Sequence, residues 1–102
     1  KIYTIEVILV IIGACRVKLL IYESNSLKDK RHTIKSIIGR IQSRFNVSIA
    51  EIDLNDSWRS SIIGFACVTN DTNLANQILS NVIKFIDEDG RVEILEYQIE
   101  IL

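Results

Sequence analysis

Proline is absent from the 102 residues, and with it go the proline-rich linkers and low-complexity spacers that separate domains. Glycine is scarce, four in all, and none falls in a loop that cradles phosphate, so nucleotide-binding fingerprints are excluded. The only histidine, His32, has no paired serine or cysteine nucleophile, so the three-part logic of nucleophilic catalysis is missing. His32 lies one turn into a basic helix surface beside Lys28, Arg31 and Lys35, and a solvated surface histidine is the expectation. Zinc-ligand spacing is missing too. The two cysteines, Cys15 and Cys67, sit in apolar alternating segments and form no disulfide framework. Both read as small buried hydrophobes of a reducing compartment, and the chain is expected to be cytoplasmic. No apolar run approaches the roughly 20 residues that span a bilayer. The run Val7–Ala14, ahead of Cys15, reads as a buried strand. Ile12-Gly13-Ala14-Cys15 echoes a lipoprotein cleavage site, but Glu6 interrupts the apolar stretch and only Lys1 supplies a basic flank.

What is present is a single globular domain, 48% apolar and 25% charged. The net charge of −1 conceals a segregation. Residues 1–44 carry nine Lys/Arg against three Asp/Glu, a balance of +6, and residues 45–102 carry three against ten, a balance of −7. Such asymmetry marks polar interaction surfaces without naming the partner.

Periodicity sets the elements. Strict alternation over Ile11–Tyr22 predicts a strand with Ile11, Gly13, Cys15, Val17, Leu19 and Ile21 on its buried face. Leu20 and Tyr22, with Arg16 and Lys18, fall on the opposite face, which is rather apolar for bare solvent and calls for cover by residues 1–9 or another subunit. Ser26 and Asp29 form a capping-box-like pair that opens a helix from Leu27 to about Arg44. Its stripe is Leu27, Ile34, Ile37, Ile38, Ile41 and Phe45, and Asn46 is the expected stop. Strands follow over 47–52 and 61–69, with Trp58 just ahead of the second. A helix capped at Asn70-Asp71 is expected to bury Leu74, Ala75, Ile78, Leu79, Val82, Ile83 and Ile86 and to stop at Gly90. A last strand, 91–101, alternates imperfectly, as a bulge requires. The order β-α-β-β-α-β predicts an α+β, ferredoxin-like split fold: a four-stranded antiparallel sheet with two helices on one face.

The run Ser26-Leu27-Lys28-Asp29-Lys30-Arg31 is the most informative segment. It crowds three cations onto the positive pole of a helix dipole, which an anionic partner would explain. On a helical wheel Lys28, Arg31 and Lys35 share a flank, while Lys30 and Arg44 lie at other angles. Lys28, Lys30, Arg31, Lys35 and Arg59 are therefore the candidate anion- or RNA-binding residues. Tyr22 and Trp58 are the only plausible stacking platforms and double as candidate interface residues. Glu51, Asp53 and Asp56 lack a calcium-loop rhythm. Glu51 and Asp53 are expected on one strand face, and the trio to stabilise a turn or pair with Arg59 or a lysine of the first helix.

These stretches carry a resemblance. The basic run, with Tyr22-Glu23, Arg44-Phe45-Asn46-Val47-Ser48, Glu51-Ile52-Asp53, Asp56, Trp58 and Ile63-Gly64 leading to Ala66, resembles the YlxP family of small bacterial domains without assigned activity. Where family members often show Gln-Arg after the tryptophan, this chain has Arg59-Ser60. The likeness spans about residues 10–100. Residues 1–9 are then expected to be an extension or a start-site artefact, and 10–102 the single domain. The resemblance implies a ferredoxin-like fold and a gene neighbourhood shared with translation initiation and ribosome maturation factors. The expectation is a non-enzymatic, cofactor-free, metal-free accessory protein that touches ribosomal RNA or a ribosome-associated protein weakly and forms a homodimer, with no membrane partner. The alternative is a homo-oligomeric protein-protein interaction module or a small-molecule-binding domain.

Overall fold

The alternation predicted for the first strand is realised without a break. The structure, a computed structural model, describes residues 10–102, and the expectations placed on residues 1–9 lie outside it. Strand β1 (Ile11–Ile21) turns Cys15, Val17, Leu19 and Ile21 inward. It is followed by α1 (Leu27–Arg44), β2 (Ser48–Asp53), β3 (Ser60–Thr69), α2 (Thr72–Asp87) and β4 (Val92–Ile101). The strands form one antiparallel sheet in the order β2-β3-β1-β4, with β1 registered against β3 through Gly13↔Cys67 and Val17↔Ile63. This is the expected ferredoxin-like α+β arrangement.

Both helices pack on the same sheet face because their apolar positions recur at the helical period. Helix α1 contributes Ile34, Ile37 and Ile41, and α2 contributes Ala75, Leu79, Val82 and Ile86, all against the inward rows of β1 and β3. Helix α2 comes close to the sheet at Gly13. A Cβ there would lie 3.0 Å from Leu79 Cδ1 and 3.1 Å from Cys67 Sγ, so a side chain at this position needs those neighbours to give by a few tenths of an ångström. Both cysteines are buried and free. Burial pushes the Cys15 thiol up to about 11, since the thiolate would have to shed its water.

Several details depart from the sequence reading. Leu74 is 43% exposed, because it falls off the buried row of Ala75, Leu79, Val82 and Ile86. Gly90 does not end α2 in a left-handed conformation, and no glycine has a positive φ. The cap is Glu88, in the right-handed helical region, and its N–H donates to Lys84 O. Asp89 then clamps the turn: Arg91 Nε donates to its Oδ1 at 3.0 Å and Nη2 to its Oδ2 at 2.8 Å. That fork holds the Asp89 carboxyl below the usual carboxylate range. Helix α1 ends at Arg44 as expected; Phe45 caps it with extended backbone, Asn46 is the first residue outside, and the Phe45 ring meets Phe85 edge-on at 5.8 Å. Arg40 and Arg44 lie over the Phe85 ring, so these cations tie the helices together. The bulge expected in the last strand falls at Leu95, between the pairs Leu19↔Ile94 and Lys18↔Glu96.

Among the described residues the sheet's other face carries no helix. Arg16 and Tyr22 are exposed there, and Lys18 and Leu20 half-buried. Ala14, Ala50, Gly64 and Ala66 floor a shallow trough of about 420 Å³, walled by Ile52.

Candidate nucleic-acid interface

At one end of the sheet the β1–α1 loop (residues 22–26) meets the β2–β3 loop (residues 54–59). The site is built from a buried lysine outward. Lys30 is 0% exposed, the largest fully buried side chain among the described residues. Its ammonium donates to Glu51 Oε2 at 2.7 Å, Leu54 O at 2.9 Å, Asn55 O at 3.3 Å and Ser60 O at 3.4 Å. Glu51 also accepts from the Ser61 hydroxyl. A buried charge is tolerable only when paired and saturated with hydrogen bonds, and this ammonium meets one carboxylate and three carbonyls. The consequence is mechanical, because α1, β2 and the whole 54–60 loop are fastened to one nitrogen.

This corrects the placement of Lys30 on an anion-binding surface: the side chain is inside and its charge is spent. It also revises the carboxylates. A register shift after Glu51 pairs Glu51 with Ile63 and Asp53 with Ile62, so the two do not share a face. Glu51 points to α1, whereas Asp53 Oδ1 accepts from the N–H of Leu54. Pairing of Glu51 with a lysine of the first helix is realised. Among the described residues no group of three His, Cys, Asp or Glu gathers to hold a metal.

Around the clasp, the two loops are stitched to each other. The Ser24 hydroxyl donates to Trp58 O, Arg59 Nε donates to Ser24 O at 3.1 Å, and Ile21 N–H donates to Arg59 O at 2.8 Å. The non-glycine residues with positive φ, Glu23 at 56° and Leu54 at 59°, lie one in each loop. At Leu54 the left-handed turn accompanies the delivery of its carbonyl to Lys30. Ser26 caps α1 by accepting from Asp29 N–H at 3.0 Å, and Asp29 reaches back to Asn25 N–H at 3.1 Å. The chain's own carboxylate thus occupies the helix start, which leaves the side-chain cations to meet an anion.

Of the residues singled out in the sequence, the structure gathers Tyr22, Trp58 and Arg59 on the stitched loops, with Lys28 two positions beyond the cap. Trp58 is 56% exposed and Tyr22 47%. Lys28, Arg31 and Lys35 are exposed along one flank of α1 and enter no ion pair among the described residues. The Tyr22 hydroxyl is shifted above the ordinary tyrosine range by partial desolvation and by Glu93 beside it. Sequence reasoning missed Ser24 and Ser61, small polar residues buried at 2% and 0%. For Ser61 the sequence signal is a hydroxyl on the row of Ile63, Phe65 and Cys67, where alternation calls for an apolar side chain; Ser24, in a loop, carries none.

Comparison with known proteins agrees with this architecture. "De novo designed protein Foldit4" superposes with a TM-score of 0.50 over 91% of this chain and 96% of its own, at 12% identity, a likeness of fold alone. "Uncharacterized protein YlxP" of Bacillus subtilis (strain 168) is 38% identical over 82 residues, covering 80% of this chain and 89% of the relative. The family described as "Protein of unknown function (DUF503)" matches residues 12–99, from the second residue of β1 to near the end of β4, and the chain belongs to that family.

Proposed function

We propose that this chain is a non-enzymatic accessory protein that contacts single-stranded RNA, in translation or ribosome maturation, through the end where the two loops meet. The observation that carries the reading is Trp58: a large aromatic more than half exposed on a loop held rigid by the Lys30 clasp, with the Arg59 guanidinium as its chain neighbour. A fixed aromatic face with cations around it stacks a base and meets the flanking phosphates, a mode that tolerates any sequence. Lys28, Arg31 and Lys35 extend the basic surface along α1. Glu23, Asp29 and Asp56 lie at the same end, so the binding is modest and falls with salt. The association with translation rests on the family resemblance.

The test is fluorescence anisotropy with a labelled single-stranded ribosomal RNA fragment across a salt series. Trp58→Ala is expected to weaken binding by about 1–3 kcal/mol, the usual worth of one stacked base. Lys28→Glu with Arg31→Glu is expected to weaken it and to flatten the log-affinity against log-salt slope by roughly 1.4, two single-strand phosphate contacts' worth. Binding untouched by both variants, or no binding at low salt, refutes the reading.

A further inference from the structure

The free edge of β4 is the feature that the RNA reading leaves unused. We infer that this edge pairs antiparallel with the same edge of a second copy of this chain, joining two four-stranded sheets into one of eight strands. Beyond the bulge at Leu95 the strand runs in regular register with β1, Lys18↔Glu96 through Gly13↔Ile101, and its outer side has no strand partner among the described residues. An edge that long and regular is a template for pairing unless it is blocked. The opposite edge, β2, is six residues long and carries its own register shift, which blunts it. On the helix side of β4, Tyr97 and Ile99 are 52% and 38% exposed, and with Ile83 they line a cleft of about 490 Å³ between β4 and α2.

The occupant follows from the pattern of charge. Centring a two-fold axis on Ile99 sets Ile99 against its own mate and Tyr97 against Ile101 of the copy on the helix side. On the open side the same register sets Gln98 against Glu100 of the copy, so no two glutamates oppose each other. Moving the axis to Gln98 would oppose Glu96 and Glu100, which like-charge repulsion forbids. The row across the joined sheet then reads Arg16, Gln98, Glu100 of the copy, because Arg16 is the registered neighbour of Gln98. Arg16 is exposed and in no ion pair among the described residues, and the copy adds a carboxylate, Glu100, to the same row, two strands away across Gln98. A surface complementary to itself in this way is what a two-fold contact requires. Ile99 is level with Cys15 and Val92 with Ile21, so the loop ends that carry Trp58 point away from the junction and stay open.

The experiment is sedimentation equilibrium of the full chain over a wide concentration range, with circular dichroism to confirm folding. The wild type is expected to be a dimer, and Ile99→Lys, which brings two lysines together on the axis, a folded monomer. Because Ile99 also touches the cleft, a second pair of variants uses exposed residues only. Arg16→Glu and Glu100→Arg are each expected to raise the dimer dissociation constant at least about tenfold. An equimolar mixture of the two restores pairing, since each then meets the opposite charge on the other. Three results overturn the inference: a wild type monomeric throughout, a folded Ile99→Lys chain that keeps the dimer mass, or variants that mixing fails to rescue. A monomer whose outer β4 amides resist hydrogen exchange overturns it too, by assigning the edge to another segment of the chain.

Discussion

Replacing Lys30 by methionine keeps the length of the side chain and most of its volume while removing the ammonium, so it isolates the electrostatic part of the clasp. Glu51 would keep only the Ser61 hydroxyl, and the carbonyls of Leu54, Asn55 and Ser60 would lose their common donor. Removing one partner of a buried ion pair costs about 3–5 kcal/mol, most of it the desolvation of the charge left behind. The Glu51 side chain is 16% exposed, so water can reach the orphaned carboxylate and the lower end applies, about 3 kcal/mol. For a domain of this size each kcal/mol moves the midpoint by roughly 4–8 °C, giving a fall in Tm of roughly 12–24 °C. Urea unfolding measures the loss directly, with an unchanged slope showing that the folded state keeps its compactness. Because Lys30 anchors the loop that bears Trp58, steady-state anisotropy of the tryptophan is expected to fall in the folded variant. The double variant Lys30→Met with Glu51→Leu removes both charges and is expected to recover at least about 1 kcal/mol relative to the single one. A single variant that loses less than about 0.5 kcal/mol, the effect of an ordinary surface change, refutes the clasp.

Asp89 gives a pH signature. Its carboxyl is held below the usual range chiefly by the Arg91 hydrogen bonds, so the stability it contributes is complete above the unfolded carboxyl range. It is lost as pH falls through the lowered folded value, and Asp89→Asn is expected to shrink the drop in Tm across that acid window. At Gly13 a side chain would crowd Leu79 and Cys67, and Gly13→Val is expected to cost about 1–3 kcal/mol in urea unfolding by overpacking the seam between α2 and the sheet. Cys15 and Cys67 are buried, and burial holds the Cys15 thiol near 11, so both are expected to resist a thiol reagent in the native chain at neutral pH and to react on unfolding. Rapid labelling of the native chain would contradict the packing described.

The fold was legible because it is written in periodicities that burial enforces. Alternation in β1 and the apolar stripes of α1 and α2 each name a face, and a slip of one residue would expose it. Where the reading erred, a local contact outweighed the pattern. The stop expected of Gly90 is supplied by Glu88 and the Asp89–Arg91 fork. Glu51 and Asp53 are two apart and read as one face, but the register shift between them is set by pairing with β3, which no residue type announces. The stitched loops were invisible for the same reason, since the acceptors that Ser24 and Lys30 find are main-chain carbonyls distant in sequence.

Lys30 is the instructive case, because its signal was present and was overruled by its charge. Positions 30, 34, 37 and 41 recur at helical spacing, and the three isoleucines among them are the buried row of α1. Phase alone therefore puts Lys30 on that row, away from the flank shared by Lys28, Arg31 and Lys35. A lysine in phase with a buried stripe predicts two things at once: a carboxylate on the facing strand and carbonyls turned to meet it. Glu51, inward on β2, and Leu54, at a positive φ, are those two partners. The crowding of cations at the helix start then resolves into separate roles. Ser26 and Asp29 cap the helix, Lys30 fastens the loops, and Lys28 and Arg31 alone remain at the helix start for a partner. Charge reversal of those two should leave Tm within about 0.5 kcal/mol-equivalent of the wild type. Reversal of Lys30 should unfold the chain, and that contrast separates a binding surface from the strut beneath it.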